Sequence, residues 1–281
     1  MTLPRNQFII LFESRRTDPS SAQNQPDEIV VKKFDRFLLC LAIVSLIGLV
    51  LRIFHLDHHS LWLDEALTVS ITEQSFLQIF KGSRHTNPPL YFLMLKAWIY
   101  AFGQSEFALR SLSTILGTGA IVLTGLLAVS LFDRKTGILA ALFIAIMVFP
   151  VHYSREARNY ALFLFTATGS LYYLHQSLRT GANRKWLAYL LFSTFMCYSH
   201  NYWVFGSLAQ NVYVFLFYRR QKQTLLRWLI VQAILAVLVS PWLIVLLGKT
   251  RRIMEEGFWI ARPNSNYLLK TFRSYVDFLV S

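Results

Sequence analysis

The sequence predicts an all-α integral membrane protein, a multi-spanning helical bundle of about seven crossings with a long first outer loop containing interfacial helices. Three observations carry that prediction. Only 15% of the 281 residues are charged, where soluble domains carry roughly 25%. The mean hydropathy is +0.41. Apolar runs recur at 37–54, 110–132, 137–153, 160–178, 186–200, 202–218 and 226–247, close to the roughly 17–25 residues a bilayer core requires of a helix.

In chain order, residues 1–36 are polar and mixed in charge, and "TDPSSAQNQPDE" predicts a disordered cytoplasmic leader. No cleavable signal peptide is expected, because the first apolar run starts only at Phe37. Lys32, Lys33 and Arg36 precede that run, the pattern of an anchor whose N-terminus stays in the cytoplasm. The turns "DRKTG" (133–137), "RTGANRK" (179–185) and "RRQKQTLLR" (219–227) are basic, which predicts that they share the cytoplasmic side. Residues 55–87 then lie outside, so only one crossing separates them from Arg134. Two apolar pieces compete for it. The run 110–132 is the longer, and 88–103, which carries Lys96, is read as an interfacial or re-entrant helix. Residues 37–247 form the transmembrane core. The stretch 248–281 is an external loop or the start of a missing C-terminal part.

The formal charge of +13 fits basic cytoplasmic loops and anionic lipid better than nucleic acid, for which no recognition motif is present. Cys40 and Cys197 both sit in apolar runs, so neither a disulfide framework nor a cysteine-based zinc site follows. No glycine-rich nucleotide loop appears.

On that topology the polar clusters collect on the outer side. "LWLDEA" puts Asp64 and Glu65 side by side after the first span. Either they are solvated loop acids, or a carboxylate near the interface acts as a general base. "RHTNPPLYF" (84–92) carries His85, and its double proline suits the start of a helix. "PVHYSREARNY" (150–160) packs His152, Arg155, Glu156, Arg158 and Tyr160 behind Pro150, which is expected to end the span. At helical spacing Arg155 neighbours Arg158, so the two guanidinium groups are expected to share one anionic ligand, either a substrate phosphate or interfacial lipid. "CYSHNYW" (197–203) sets His200 between two apolar runs, as a functional group or a histidine satisfied by a carbonyl. The tail adds Lys249, Arg251, Arg252 and Arg262.

Taken in order, "LWLDEA", "NPPLYF", "SEFALRSLSTILG" (105–117), "FPVHYSREARNYAL" (149–162) and "YSHNYW" resemble the GT-C-type membrane glycosyltransferases. The likeness is to the protein O-mannosyltransferase-like group, which includes the bacterial aminoarabinose transferases. It covers residues 37 to about 205. It implies a polyprenyl-phosphate or polyprenyl-diphosphate sugar as donor, and a lipid, glycan or protein acceptor, on the outer face of a plasma membrane (a bacterial inner membrane). By this resemblance Asp64, with Glu65, is the general base or acceptor positioner, and Glu156 is the acid of the second outer loop. Arg158 and Arg155 hold the donor phosphate, with Tyr160 beside them, and Arg110 matches the arginine of "ALRSLS". Some relatives bind a divalent metal, for which His200 and His85 are the candidates here. The chain departs from many relatives in having Asn87, not His, before the double proline. Relatives usually run longer, so a truncated copy or fragment is expected. The rival functions are a transporter or flippase for a lipid-linked sugar, and a non-catalytic lipid-binding relative.

Overall fold

The structure, a computed structural model, describes residues 26–82 and 85–256 together with 266, 269, 270, 273 and 274. The predicted leader up to residue 25 and most of the basic tail beyond residue 256, Arg262 included, lie outside the described residues. All regular structure among the described residues is helical: α1 (Pro26–Ile53), α2 (Leu63–Thr72), α3 (Phe76–Phe80), α4 (Leu90–Phe102), α5 (Glu106–Leu131), α6 (Arg134–Ile146), α7 (Val148–Ser154), α8 (Tyr160–Thr180), α9 (Asn183–Ser199), α10 (Trp203–Tyr218) and α11 (Lys222–Glu256).

Helix α1 starts about one decade of residues before the predicted apolar run. Proline is suited to the first helical position, where Pro26 stands. Short polar caps set the starts of α3, α5 and α6. Ser75 Oγ accepts from Gln78 N (3.3 Å), Ser105 Oγ from Ala108 N (3.2 Å) and Asp133 Oδ1 from Thr136 N (2.8 Å). The stretch between α1 and α5 holds three helices, α2 to α4, of which the sequence marked only the apolar piece 88–103, now α4.

Helix α5 is the centre of the bundle. It packs on α1 and α6 along one side, on α8 along the other, and on α4 and α7 at one end. Helix α9 lies along α8, and α11 along α9. The α8–α9–α10 contact buries polar groups that bond to one another: Ser170 to Ser193 (2.8 Å), and the Gln210 amide to Ser170 Oγ (3.0 Å). Such bonds hold helices together where lipid supplies no hydrophobic drive.

The bundle has two chemically different ends. At one, the basic turns meet: the His175 ring lies 3.1 Å from the Ser130 carbonyl, and Arg227 donates to Gly181 O (2.9 Å). At the other, the C-terminus of α1, helix α2 and the α7–α8 and α9–α10 junctions converge, and Lys249 of α11 donates to the carbonyls of Gly82 and His85.

Among the described residues, three helices are long and apolar enough to cross a membrane: Arg36–Ile53, Glu106–Leu131 and Lys222–Arg251. Helices α6 and α7 make a fourth if they count as one span bent by 59°. The protein is therefore a helical membrane protein. Helix α8 is less apolar, because it carries His175, Gln176 and Arg179 in its last turns and the buried Thr166, Ser170 and Ser177 along its length. Two sequence expectations change. The run 137–153 is not one straight helix, because it breaks at Met147. Pro150 does not end the span but sits in the first turn of α7, where its missing N–H is tolerated.

Candidate active site

Asp64 and Glu65 are adjacent in α2 and have separate environments. Glu65, in the first turn, is fully buried. Its Oε1 accepts from Arg110 Nε (2.9 Å) and Ala157 N (2.8 Å), and its Oε2 from Arg110 Nη2 (2.7 Å) and Trp62 N (3.4 Å). The rest of the Arg110 guanidinium donates to the carbonyls of Leu56, His59 and Ser60 at 2.8, 2.8 and 3.2 Å. Burial alone would raise the Glu65 pKa. The Arg110 bond, the Ala157 amide and the Arg110 charge outweigh it, and the carboxyl sits below its ordinary value. This bidentate pair ties α2, α5, the 56–60 turn and the 155–158 segment into one unit. Both Glu65 oxygens and Arg110 are engaged within the fold.

Asp64 is open by contrast, its side chain 37% exposed. Its Oδ2 lies 3.3 Å from Arg158 Nη2. Arg158 Nη1 donates to the Asp64 carbonyl (3.2 Å) and reaches Thr68 Oγ1 (3.4 Å), while its Nε is buried with no partner. The guanidinium stands 5.8 Å from the centre of the Tyr160 ring, a cation–π distance. Tyr160 in turn packs against Tyr153 (4.6 Å) and His200 (5.4 Å). Burial, then the Arg158 charge, holds the His200 pKa below its ordinary value, so the ring is neutral, with Nδ1 accepting from Tyr202 N (3.1 Å).

The 155–159 segment is not helical: Arg155 caps α7 and α8 begins only at Tyr160. The helical neighbourhood expected for Arg155 and Arg158 is thereby lost, and their guanidinium groups bond to different partners. Arg155 Nη2 donates to the carbonyls of Phe54 (2.8 Å) and His55 (3.0 Å). Those carbonyls are presented at the end of α1, where His55 takes the left-handed φ of 53° often used to close a helix. Arg155 and Glu156 line a groove of about 680 Å³ with His152 and Trp62, whose remaining wall is largely apolar, Leu51 and Phe54 included. Glu156 Oε1 meets His152 Nε2 at 3.1 Å, and Oε2 is buried without a partner. Burial is the main reason its carboxyl sits above the ordinary value.

The side chains do not fit a metal. Both His85 nitrogens are turned to carbonyl oxygens, Asn87 O at 2.7 Å and Ile79 O at 3.0 Å, so neither points to open space. His200 keeps only Nε2. Among the described residues no group of three His, Cys, Asp or Glu side chains is placed to hold an ion. The pattern of charged residues also passed over uncharged groups that lock the site. Tyr91 is fully buried and bonds Ser113 (2.7 Å), whose hydroxyl reaches the Arg158 carbonyl (3.2 Å), and Asn159 donates to Ser199 O (2.8 Å). The fully buried Arg52 was equally legible, as a basic residue inside an apolar run, and was passed over.

No curated protein matches the chain. The family model for dolichyl-phosphate-mannose-protein mannosyltransferase matches residues 86–245, from the approach to α4 well into α11. It takes in Arg110, Arg155, Glu156, Arg158, Tyr160 and His200 and begins after Asp64 and Glu65. With more than half of its length inside that match, this helical membrane chain belongs to the dolichyl-phosphate-mannose-protein mannosyltransferase family of membrane glycosyltransferases.

Proposed function

We propose that the protein transfers a sugar from a polyprenyl-phosphate donor to a hydroxyl acceptor at the outer face of the membrane. The observation that carries this reading is the half-open Asp64–Arg158 pair, at 3.3 Å, held on the closed Glu65–Arg110 unit. Asp64 takes the acceptor proton as the acceptor oxygen bonds to the sugar C1. The bond from C1 to the phosphate oxygen breaks, and the polyprenyl phosphate leaves with the electron pair. Arg158 compensates the charge that grows on that phosphate. A donor phosphate competes with Asp64 for Arg158, so donor binding itself frees the base. The apolar-walled groove beside Arg155 takes the lipid chain of the donor, and Tyr160 with His200 forms an aromatic wall suited to a sugar face. Glu65 and Arg110 position this site, their charged groups bonded to each other beneath the groove they help to line. No step is assigned to a metal. The rival reading as a transporter is disfavoured because the buried polar groups of α8, α9 and α10 bond to one another.

On this reading the bundle makes about seven crossings, with α1 to α11 alternating between a basic cytoplasmic end and the site end. Helix α4, about 20 Å long at 13 residues, stays on the site side. The test is transfer from a radiolabelled polyprenyl-phosphate sugar by the protein reconstituted in lipid, wild type against Asp64→Asn. Donor consumption that requires Asp64 is expected. Equal turnover by the variant removes Asp64 from the mechanism, and no turnover by either removes the enzyme reading.

A further inference from the structure

The middle of α1 and the start of α6 form a second groove, of about 610 Å³, at the end of the bundle opposite the candidate site. Each helix contributes one face to it, residues 36, 37 and 40 from α1 and residues 134, 135, 138 and 139 from α6. These are the i, i+1, i+4 steps that line up along a helix. The wall is apolar, made by Phe37, Cys40, Ile138 and Leu139, and the mouth carries three cations, Arg36, Arg134 and Lys135, all exposed. Asp133 beside them caps α6 through Thr136 N (2.8 Å) and offsets part of the Lys135 charge, and the three cations still leave the mouth net positive.

We propose that this groove binds one anionic phospholipid, its phosphate at the Arg36–Arg134–Lys135 mouth and an acyl chain along the Phe37–Leu139 wall. Charge complementarity chooses the occupant. A zwitterionic lipid brings a compensating cation to the same mouth, and a second copy of this chain would bring its own cations there. Near an anionic leaflet each basic side chain contributes about 1 kcal/mol, so removing two cations lowers retention on the order of 30-fold. The site is separate from the transfer reaction, and its test reads no turnover.

The experiment is native mass spectrometry of the purified protein after incubation with a mixture of phosphatidylglycerol and phosphatidylcholine. The wild type is expected to keep one phosphatidylglycerol that Arg134→Gln/Lys135→Gln loses. Arg219→Gln/Arg220→Gln, which removes two exposed cations elsewhere, is expected to keep it. Equal loss in both variants overturns the proposal, since any basic turn would then serve. Leu139→Trp fills the groove without changing charge and is expected to expel the lipid, and full retention there overturns the placement of the chain. Cys40 supplies a second readout, being an exposed thiol on the wall while Cys197 is buried. Its alkylation is expected to slow in phosphatidylglycerol vesicles and not in phosphatidylcholine vesicles with added inorganic phosphate. Protection by phosphate alone, or disulfide crosslinks between Cys40 of two copies, overturns the lipid in favour of a free anion or a self-interface.

Discussion

Asp64 and Glu65 are one bond apart and are expected to fail differently. Asp64→Asn removes a half-exposed acid whose only ionic partner among the described residues is Arg158, so melting changes by less than about 0.5 kcal/mol. Transfer should nevertheless fall by about 10²–10⁴, the usual contribution of a positioned base. Glu65→Ala leaves the Arg110 guanidinium buried and unpaired, and is expected to cost about 3–5 kcal/mol. Thermal melting in detergent together with the transfer assay separates the two, and a stable, inactive Glu65→Ala would assign Glu65 a chemical role. The sequence announced this carboxylate pair and could not divide it. Successive helical residues point about 100° apart, and which of them faces Arg110 depends on how α2 docks on α5. The same limit applied to Arg155 and Arg158, because their separation rests on Arg155 closing α7, which a periodicity reading continues as helix.

At the scale of elements, the bend between α6 and α7 determines where the 155–158 segment starts. With the helix interrupted at Met147, the carbonyls of Ile144 and Ala145 lose their next-turn donors inside an apolar bundle. Arg52 of α1 replaces those donors. Its Nη2 donates to Ile144 O (3.0 Å) and its Nη1 to Ala145 O (3.0 Å) and Gly48 O (2.9 Å). Room for the guanidinium comes from Gly48, where a Cβ would lie 3.2 Å from Nη1 and 2.3 Å from Ile121 Cδ1. Gly117 similarly lets Ser154 of α7 close on α5, where a Cβ would stand 2.0 Å from its Oγ. Arg52→Met keeps the bulk and removes the donors, and should cost about 1–3 kcal/mol for each carbonyl left unmet. Hydrogen exchange is expected to rise across residues 148–158 and to stay unchanged in α9. Uniform exchange gain throughout the bundle would make Arg52 a general packing residue. The apolar runs marked the long helices and α4 in their order, but α2 and α3, short and carrying polar residues, were not readable that way. Nor was the break, because Pro150 alone does not say whether a helix stops there or restarts around it.

For the whole molecule, pH and topology remain to be argued. His85 and His200 both have pKa values below their ordinary 6.5, chiefly through burial, so the folded protein binds fewer protons than the unfolded chain. Their contribution is therefore present above pH 6.5 and is lost as the pH falls through the lower folded values. Glu65, with its depressed pKa, adds a further loss at more acid pH, below its unfolded value of 4.5. Melting temperature is expected to fall from pH 7 toward pH 5, with a shallower slope in His200→Phe, and an unchanged slope would remove His200 from the effect. Orientation is tested separately. Hydropathy alone leaves α8, α9 and α10 ambiguous, since their polar groups bond within the bundle, and only the clustering of basic turns orders the ends. In a Cys40→Ala/Cys197→Ala background, Thr136→Cys sits at the basic end, and Ser60→Cys beside the site. An impermeant thiol reagent added to intact cells should label Ser60→Cys and leave Thr136→Cys unmodified until the membrane is opened. Labelling of both would mean that α4 crosses as well as α5, since only an additional crossing between residues 60 and 136 brings the two positions to the same face. Labelling of Thr136→Cys alone would invert the molecule and put the Asp64–Arg158 pair in the cytoplasm, where the donor would have to be presented from the opposite leaflet.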